Sequence, residues 1–282
     1  MHLSLWTMYE EGKQPTENEC AVNKKVKVGA VSYLNTKPLI YGFEKGMMKD
    51  AIELLIDHPG NIANALLDGK IDIGLVPVAI IPQLKSHFII ADYCISADGE
   101  VASVCLFSEV PLNQIKTVLL DYQSRTSVML VQYLFKHYWK LNPTFIAADN
   151  NFISQINGTT AAVIIGDRAF EMRKTATYCY DLSLAWKNCT GLPFVFAAWV
   201  SRRAFSKQFM DDFNKANHYG LMHIDEVVNE NPYNAFDLNQ YYTKYISYSF
   251  DEAKKAGLQL FLDWCAIHKL ELDNVFAVDS NQ

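Results

Sequence analysis

The sequence predicts an α/β protein of two lobes, with a discontinuous first domain and a helical C-terminal tail. Three observations carry that prediction. The first 85 or so residues alternate β-α-β-α-β. The alternation breaks near residue 88 and restarts at Thr117. From Phe205 onward the chain reads as almost wholly helical.

The elements follow in order. Val26 to Val31 is a strand-like run that ends in Ser32-Tyr33-Leu34-Asn35-Thr36-Lys37-Pro38. Thr36 followed by Pro38 reads as a helix start, with Thr as the cap and Pro in the first turn. That helix stops near Gly46. Ile52 to Ile56 is the second strand; Ile62, Ala65 and Leu66 then recur at helical spacing, and Gly69 closes the helix. Ile71 to Pro77 is the third strand. Phe88 to Ile95 and Val101 to Phe107 are two β-rich runs. Thr117 to Leu120 is a strand, Ser124 to Tyr138 a helix, and Pro143 to Ala147 and Thr160 to Ile165 are strands. Leu192 to Val200 is apolar and extended.

One β-α unit therefore sits inside another. The reading is a first domain of residues 25–105 plus 200–282 and an inserted second domain of residues 106–199, with 1–24 a polar, flexible extension. Crossings near Val101 to Phe107 and Leu192 to Val200 would form the hinge, with a ligand cleft between the lobes. A single continuous sheet is the alternative arrangement.

Composition narrows the function classes. The 282 residues are 50% hydrophobic and 20% charged, with a formal net charge of −6. That balance argues against nucleic acid as the main partner. No apolar run approaches the ~20 residues that cross a bilayer, so no membrane partner is expected. The N-terminus lacks the basic and apolar blocks of a secretory signal. Cys20, Cys94, Cys105, Cys179, Cys189 and Cys265 include no CxxC and read as reduced thiols in a cytoplasmic protein. Oligomeric state is not legible.

No GxGxxG or GxxxxGK[ST] supports a nucleotide cofactor, no HExxH supports a metal, and no GxSxG supports a serine hydrolase. No cofactor is expected. What stands out is a set of uncharged donors at strand-to-helix turns: Ser32, Tyr33, Asn35 and Thr36; Ser124, Thr126 and Ser127, with Arg125; and Gly166 with Asp167. Ser103 on a crossing strand joins them. Such turns lie at the carboxyl ends of strands, where open α/β sheets bind ligands, and helix starts favour anions. Ordinary helix capping would use the same residue types.

These residues also carry a resemblance. The segment Val28 to Leu39 resembles the opening motif of the menaquinone-biosynthesis family that includes chorismate dehydratases. Asp72 to Val78, Ser124 to Ser127, Ile165 to Ala169 and Thr190 to Ala197 resemble further segments of that family, in its order. The resemblance implies a periplasmic-binding-protein-like (type II) fold. It implies dehydration of chorismate to 3-[(1-carboxyvinyl)oxy]benzoate, the entry to the futalosine route, with chorismate as the small-molecule partner. It implies Asn35 and Ser103 as catalytic contacts. Arg125 would clamp a carboxylate or pair with Asp121. The proton acceptor is Glu100, Asp121 or Asp167, or the substrate's own enolpyruvyl carboxylate. Competing readings are a non-catalytic binder of small anions and a sister enzyme forming 1,4-dihydroxy-6-naphthoate.

Overall fold

The computed structural model describes residues 25–268; the extension expected over 1–24 lies outside the described residues. The first lobe starts with β1 (Val26–Val31), α1 (Lys37–Glu44), β2 (Ile52–Asp57), α2 (Pro59–Leu67), β3 (Ile73–Pro77) and β4 (Phe88–Ala97). The chain then builds β5 (Val104–Ser108), β6 (Thr117–Leu120), α3 (Thr126–Leu134), β7 (Thr144–Ala147), β8 (Thr160–Ile165), α4 (Asp167–Arg173), β9 (Tyr178–Asp181) and α5 (Leu182–Thr190). It returns with β10 (Phe194–Ser201), α6 (Lys207–Leu221), α7 (Ile224–Glu230), α8 (Leu238–Gln240), β11 (Ser247–Ser249) and α9 (Glu252–Ile267).

Two mixed sheets result. One has the order β11-β4-β10-β3-β1-β2, the other β7-β6-β8-β5-β9. In the first, β1 runs parallel to β2 and β3, while β10 is antiparallel to β3 and β4. In the second, β6 is parallel to β7 and β8, and β5 is antiparallel to β8 and β9. The parallel strands are the ones joined through helices, as βαβ geometry requires. Central strands are buried on both faces: every residue of β10 and of β5 is buried. Among the described residues no helix is long and apolar enough to cross a membrane.

Several expectations shift. Val101 to Phe107 is not one strand. Ala102 takes φ 63°, which ends extended backbone, and Val104 and Cys105 then pair with β8 and β9 in the second sheet. Phe194 to Trp199 pair with β3 and β4, so they belong to the first sheet rather than with 106–199. Thr36 makes no side-chain cap; Leu34–Thr36 is already a tight helical turn, and the Thr36 N–H bonds back to the Tyr33 carbonyl at 3.1 Å. The tail is not wholly helical either. Tyr241–Tyr245 forms a wide π-type turn, and β11 follows, where Ile246, Tyr248 and Phe250 alternate inward.

Asp181 holds the junction between the sheets. One carboxylate oxygen accepts from the N–H groups of Ser183 (3.0 Å) and Leu184 (3.1 Å), capping α5. The other accepts from the N–H groups of Val101 (3.0 Å) and Ala102 (2.8 Å) in the crossing segment. Burial pushes this carboxyl up to about 6 even against those four donors. An acid raised in the folded state favours folding when protonated. Its contribution is full below its ordinary value of 3.8 and is lost as pH rises through about 6. Denaturant titrations of wild type and Asp181→Asn should therefore diverge, with wild type losing about 2–3 kcal/mol relative to the variant between about pH 4 and pH 6.5. A difference that stays flat across that range contradicts the assignment.

Candidate active site

A cavity lies between the two sheets, at the carboxyl ends of β1, β3, β6 and β8. That is where an open α/β sheet places its ligands. Val31, Ile95, Val101, Ile165 and Phe196 supply apolar wall. The polar wall is Tyr33, Asn35, Ser103, Gln123, Ser124, Thr126 and Ser127. None of the described residues lining it is Asp, Glu, Lys, Arg or His.

Asn35 and Ser103 come together through a third residue. Tyr241, wholly buried at the start of the π-type turn, donates its hydroxyl to Ser103 Oγ at 2.7 Å and lies beside the Asn35 side chain. Burial drives the phenol far above its usual range, so it stays neutral. Because Ser103 Oγ accepts from Tyr241, its own hydrogen is available to a ligand. The Asn35 backbone is held as well: its carbonyl accepts from the Tyr248 hydroxyl at 2.9 Å. The Ser103 carbonyl accepts from the Gly166 N–H at 2.8 Å.

The turn before α3 divides its work. Ser124 Oγ accepts from the Ser127 N–H at 3.0 Å and caps the helix. Thr126 Oγ1 donates to the Phe196 carbonyl (3.1 Å) and accepts from the Ala79 N–H (3.3 Å), tying the second lobe to the first. Both hydroxyls line the cavity, yet both have protein partners.

Four expected site residues lie outside the wall. Ser32 is exposed, and its N–H bonds to the Asp57 carbonyl. Thr36 is buried beside Asn35, donating to its Oδ1 at 3.4 Å. Arg125 is not among the residues that line the cavity; its Nη2 donates to Asn64 Oδ1 on α2 at 2.8 Å. Asp167 accepts from the Leu34 N–H, and its carbonyl accepts from the Tyr233 hydroxyl at 3.0 Å. Burial raises its carboxyl above the ordinary range.

The charges stand one layer back. Asp121 is fully buried and accepts from Arg168 Nη2 (2.6 Å), the Gln123 N–H (3.0 Å) and the Ile165 N–H (3.2 Å). Burial raises its carboxyl, and Arg168 opposes that. Glu100 is paired with Arg173. In front of Asp121, the Tyr33 hydroxyl donates to Gln123 Oε1 at 2.6 Å and closes the cleft from lobe to lobe. Among the described residues no group of three or more His, Cys, Asp or Glu side chains could hold a metal ion.

Tyr241, Gln123 and Tyr248 were absent from the sequence reading. The signal for Tyr248 is a period-two alternation, Ile246-Ser247-Tyr248-Ser249-Phe250, that a helical reading overlooks. Gln123 abuts the Ser124 turn and carried no mark of its own.

Comparison with known proteins bears on this site. A family model described as menaquinone biosynthesis matches residues 26–267. A chorismate dehydratase of Thermus thermophilus is 25% identical over 259 residues, which is 84% of this chain and 93% of that protein. Among solved structures, protein AF1704 of Archaeoglobus fulgidus superposes with a TM-score of 0.69 at 14% identity, covering 88% of this chain and 98% of that one. A Candida albicans protein described as having the generic periplasmic binding protein fold gives 0.61 at 14% identity, covering 89% and 95%. The architecture is thus periplasmic-binding-protein-like.

Gly166 ties the site to the sheet ends. Its φ of 65° and ψ of −149° fall where L side chains are strained, whereas a Cβ there would meet the Tyr33 ring at an ordinary 3.5 Å. Gly166→Ala should lower the melting temperature by roughly 4–8 °C through backbone strain of about 1–3 kcal/mol. An unchanged melting curve contradicts the strain argument.

Proposed function

Since the chain belongs to the menaquinone-biosynthesis family, we propose that it is a hydro-lyase that converts chorismate to 3-[(1-carboxyvinyl)oxy]benzoate. The observation that carries this reading is the uncharged cavity wall, in which the buried hydroxyl of Tyr241 holds Ser103 beside Asn35.

Chorismate is a dianion. Its ring carboxylate makes the C3 proton vinylogously acidic, and removing that proton grows charge on the carboxylate. Fixed neutral donors stabilise such charge without reorganising at the moment of reaction. Ser103 and Asn35 fill that role in this reading, and the Ser127 hydroxyl and the start of α3 suit the second carboxylate. The enolpyruvyl carboxylate, tethered beside C3, takes the proton. Loss of the C4 hydroxide, which recovers that proton as water, makes the ring aromatic. A tethered base has high effective molarity, so the chain needs to fix the conformer rather than supply a base. The wall's lack of a carboxylate among the described residues agrees with this, as do the partners that already occupy Glu100, Asp121 and Asp167.

Tyr241 is a positioning residue in this scheme. It keeps the Ser103 oxygen occupied so that the Ser103 proton faces the ligand. The described cysteines are all free thiols, which fits a cytoplasmic location.

Incubating the purified protein with chorismate should produce the aromatic absorbance of the benzoate product. Unchanged chorismate with tight binding would support a binding protein instead, and turnover of a cyclised futalosine derivative the sister activity. Asn35→Ala should lower kcat/KM by about 10²-fold or more. Tyr241→Phe should lower kcat by about tenfold with KM little changed, whereas a merely structural role would move the melting temperature without that split. An Asp121→Asn variant that folds and binds chorismate but never turns it over would overturn the substrate-assisted route.

A further inference from the structure

Away from the cavity, Cys105 and Cys179 face each other on β5 and β9. The antiparallel register pairs Phe107 with Cys179 and Cys105 with Asp181, so the two cysteines lie diagonally on one face of the sheet. Their thiols share one neighbour, the Arg173 guanidinium. Arg173, on α4, reaches both: its Nη1 is 3.3 Å from Cys105 Sγ and 3.6 Å from Cys179 Sγ. Cys105 is wholly buried, while Cys179 is exposed on the edge strand β9.

The pair is wired to the cavity. Cys105 Sγ donates to the Ala102 carbonyl at 3.5 Å, and the Arg173 Nη1 reaches the same oxygen at 3.5 Å. Cys105 Sγ also lies 3.9 Å from Asp181 Oδ2, the oxygen that holds the N–H groups of Val101 and Ala102. Val101 and Ser103 line the cavity. The backbone that carries Ser103 is therefore anchored on the sulfur cluster.

We propose that Cys105 and Cys179 form a reversible, peroxide-driven disulfide that displaces Ser103 and slows the enzyme. The asymmetry of the two thiols sets their roles. The neighbouring Cys105 thiol and the Arg173 guanidinium lower the Cys179 pKa, which favours the nucleophilic thiolate at the surface. Burial raises Cys105, which stays a thiol. The Cys179 thiolate attacks hydrogen peroxide: an S–O bond forms, the O–O bond breaks, and the departing hydroxide leaves as water after protonation. Cys105 Sγ then attacks the Cys179 sulfenic sulfur. The S–S bond forms, the S–O bond breaks, and the Cys105 proton leaves with the hydroxyl as a second water. Two thiols lose two electrons in all, and one peroxide gains them.

Geometry makes the bond reversible. Diagonal Cα atoms in an antiparallel pair stand about 7–8 Å apart, beyond the relaxed disulfide span. Joining the sulfurs has to drag β5 against β9, and a strained disulfide is readily reduced. The same drag pulls on Ala102, next to Ser103.

The test uses the whole chain. Treatment with hydrogen peroxide should remove two hydrogen masses and yield one crosslinked peptide pair, Cys105 with Cys179, which dithiothreitol separates. Cys179→Ser and Cys105→Ser should each abolish the crosslink. Cys179→Ser, a surface change, should turn over chorismate at the wild-type rate and resist peroxide. Crosslinks that map to other cysteines, or thiols that stay reduced, overturn the site. Chorismate turnover in the bonded form should fall by at least about tenfold and return with dithiothreitol. Unchanged turnover in the bonded form overturns the coupling to Ser103. The bond is independent of the reaction proposed above and only this last readout rests on it: a chain that crosslinks yet never consumes chorismate sinks the reaction and leaves the thiol site standing.

Discussion

The hydrogen bond from Tyr241 to Ser103 is the constraint on which the site depends. It joins three distant stretches of chain: the turn after β1 that bears Asn35, the crossing segment that bears Ser103, and the tail beyond α8. Each stretch is fixed separately as well. Tyr248 holds the Asn35 backbone, Asp181 holds the N–H groups before Ser103, and Gly166 donates to the Ser103 carbonyl. A buried hydroxyl without a partner costs about 1–3 kcal/mol, so the phenol is stable only where these pieces meet. The tail is thus part of the site and not packing behind it.

Charge is arranged by depth. The wall facing the ligand is neutral, and Asp121, Arg168, Glu100 and Arg173 stand behind it in pairs. A dianion entering such a chamber meets dipoles that point at it without meeting a fixed anion. A free guanidinium in the wall would bind both carboxylates strongly in the ground state, which lowers KM without raising kcat. Fixed neutral donors respond chiefly to charge that grows during the reaction. The Asp121–Arg168 pair instead serves the scaffold, orienting the Gln123 and Ile165 backbone.

Local pattern explains what could be read from the residues alone. β1, β6 and β8 each end in a turn whose Ser, Asn or Gly residues are visible in the chain, because a parallel strand followed by a helix writes both its period and its cap into consecutive residues. Asn35 and the Ser124 to Ser127 turn were legible for that reason. The break at Ala102 was not. Alanine carries no preference for φ 63°, and the conformation is imposed from a distance by Asp181 on its N–H. Arg125 misled in the same way, since its reach to Asn64 is a contact between lobes with no sequence spacing to announce it. Tyr241 acts on residues far away in the chain, so its role belongs to the tertiary structure.

The contact between the Tyr33 hydroxyl and Gln123 spans the two lobes at 2.6 Å. Its acceptor sits on a residue whose N–H is held by a buried carboxylate, so the far side of the latch is stiff. Moving the two lobes apart along this seam has to break that tie. Spreading the lobes there is thereby opposed by a latch with one rigid side.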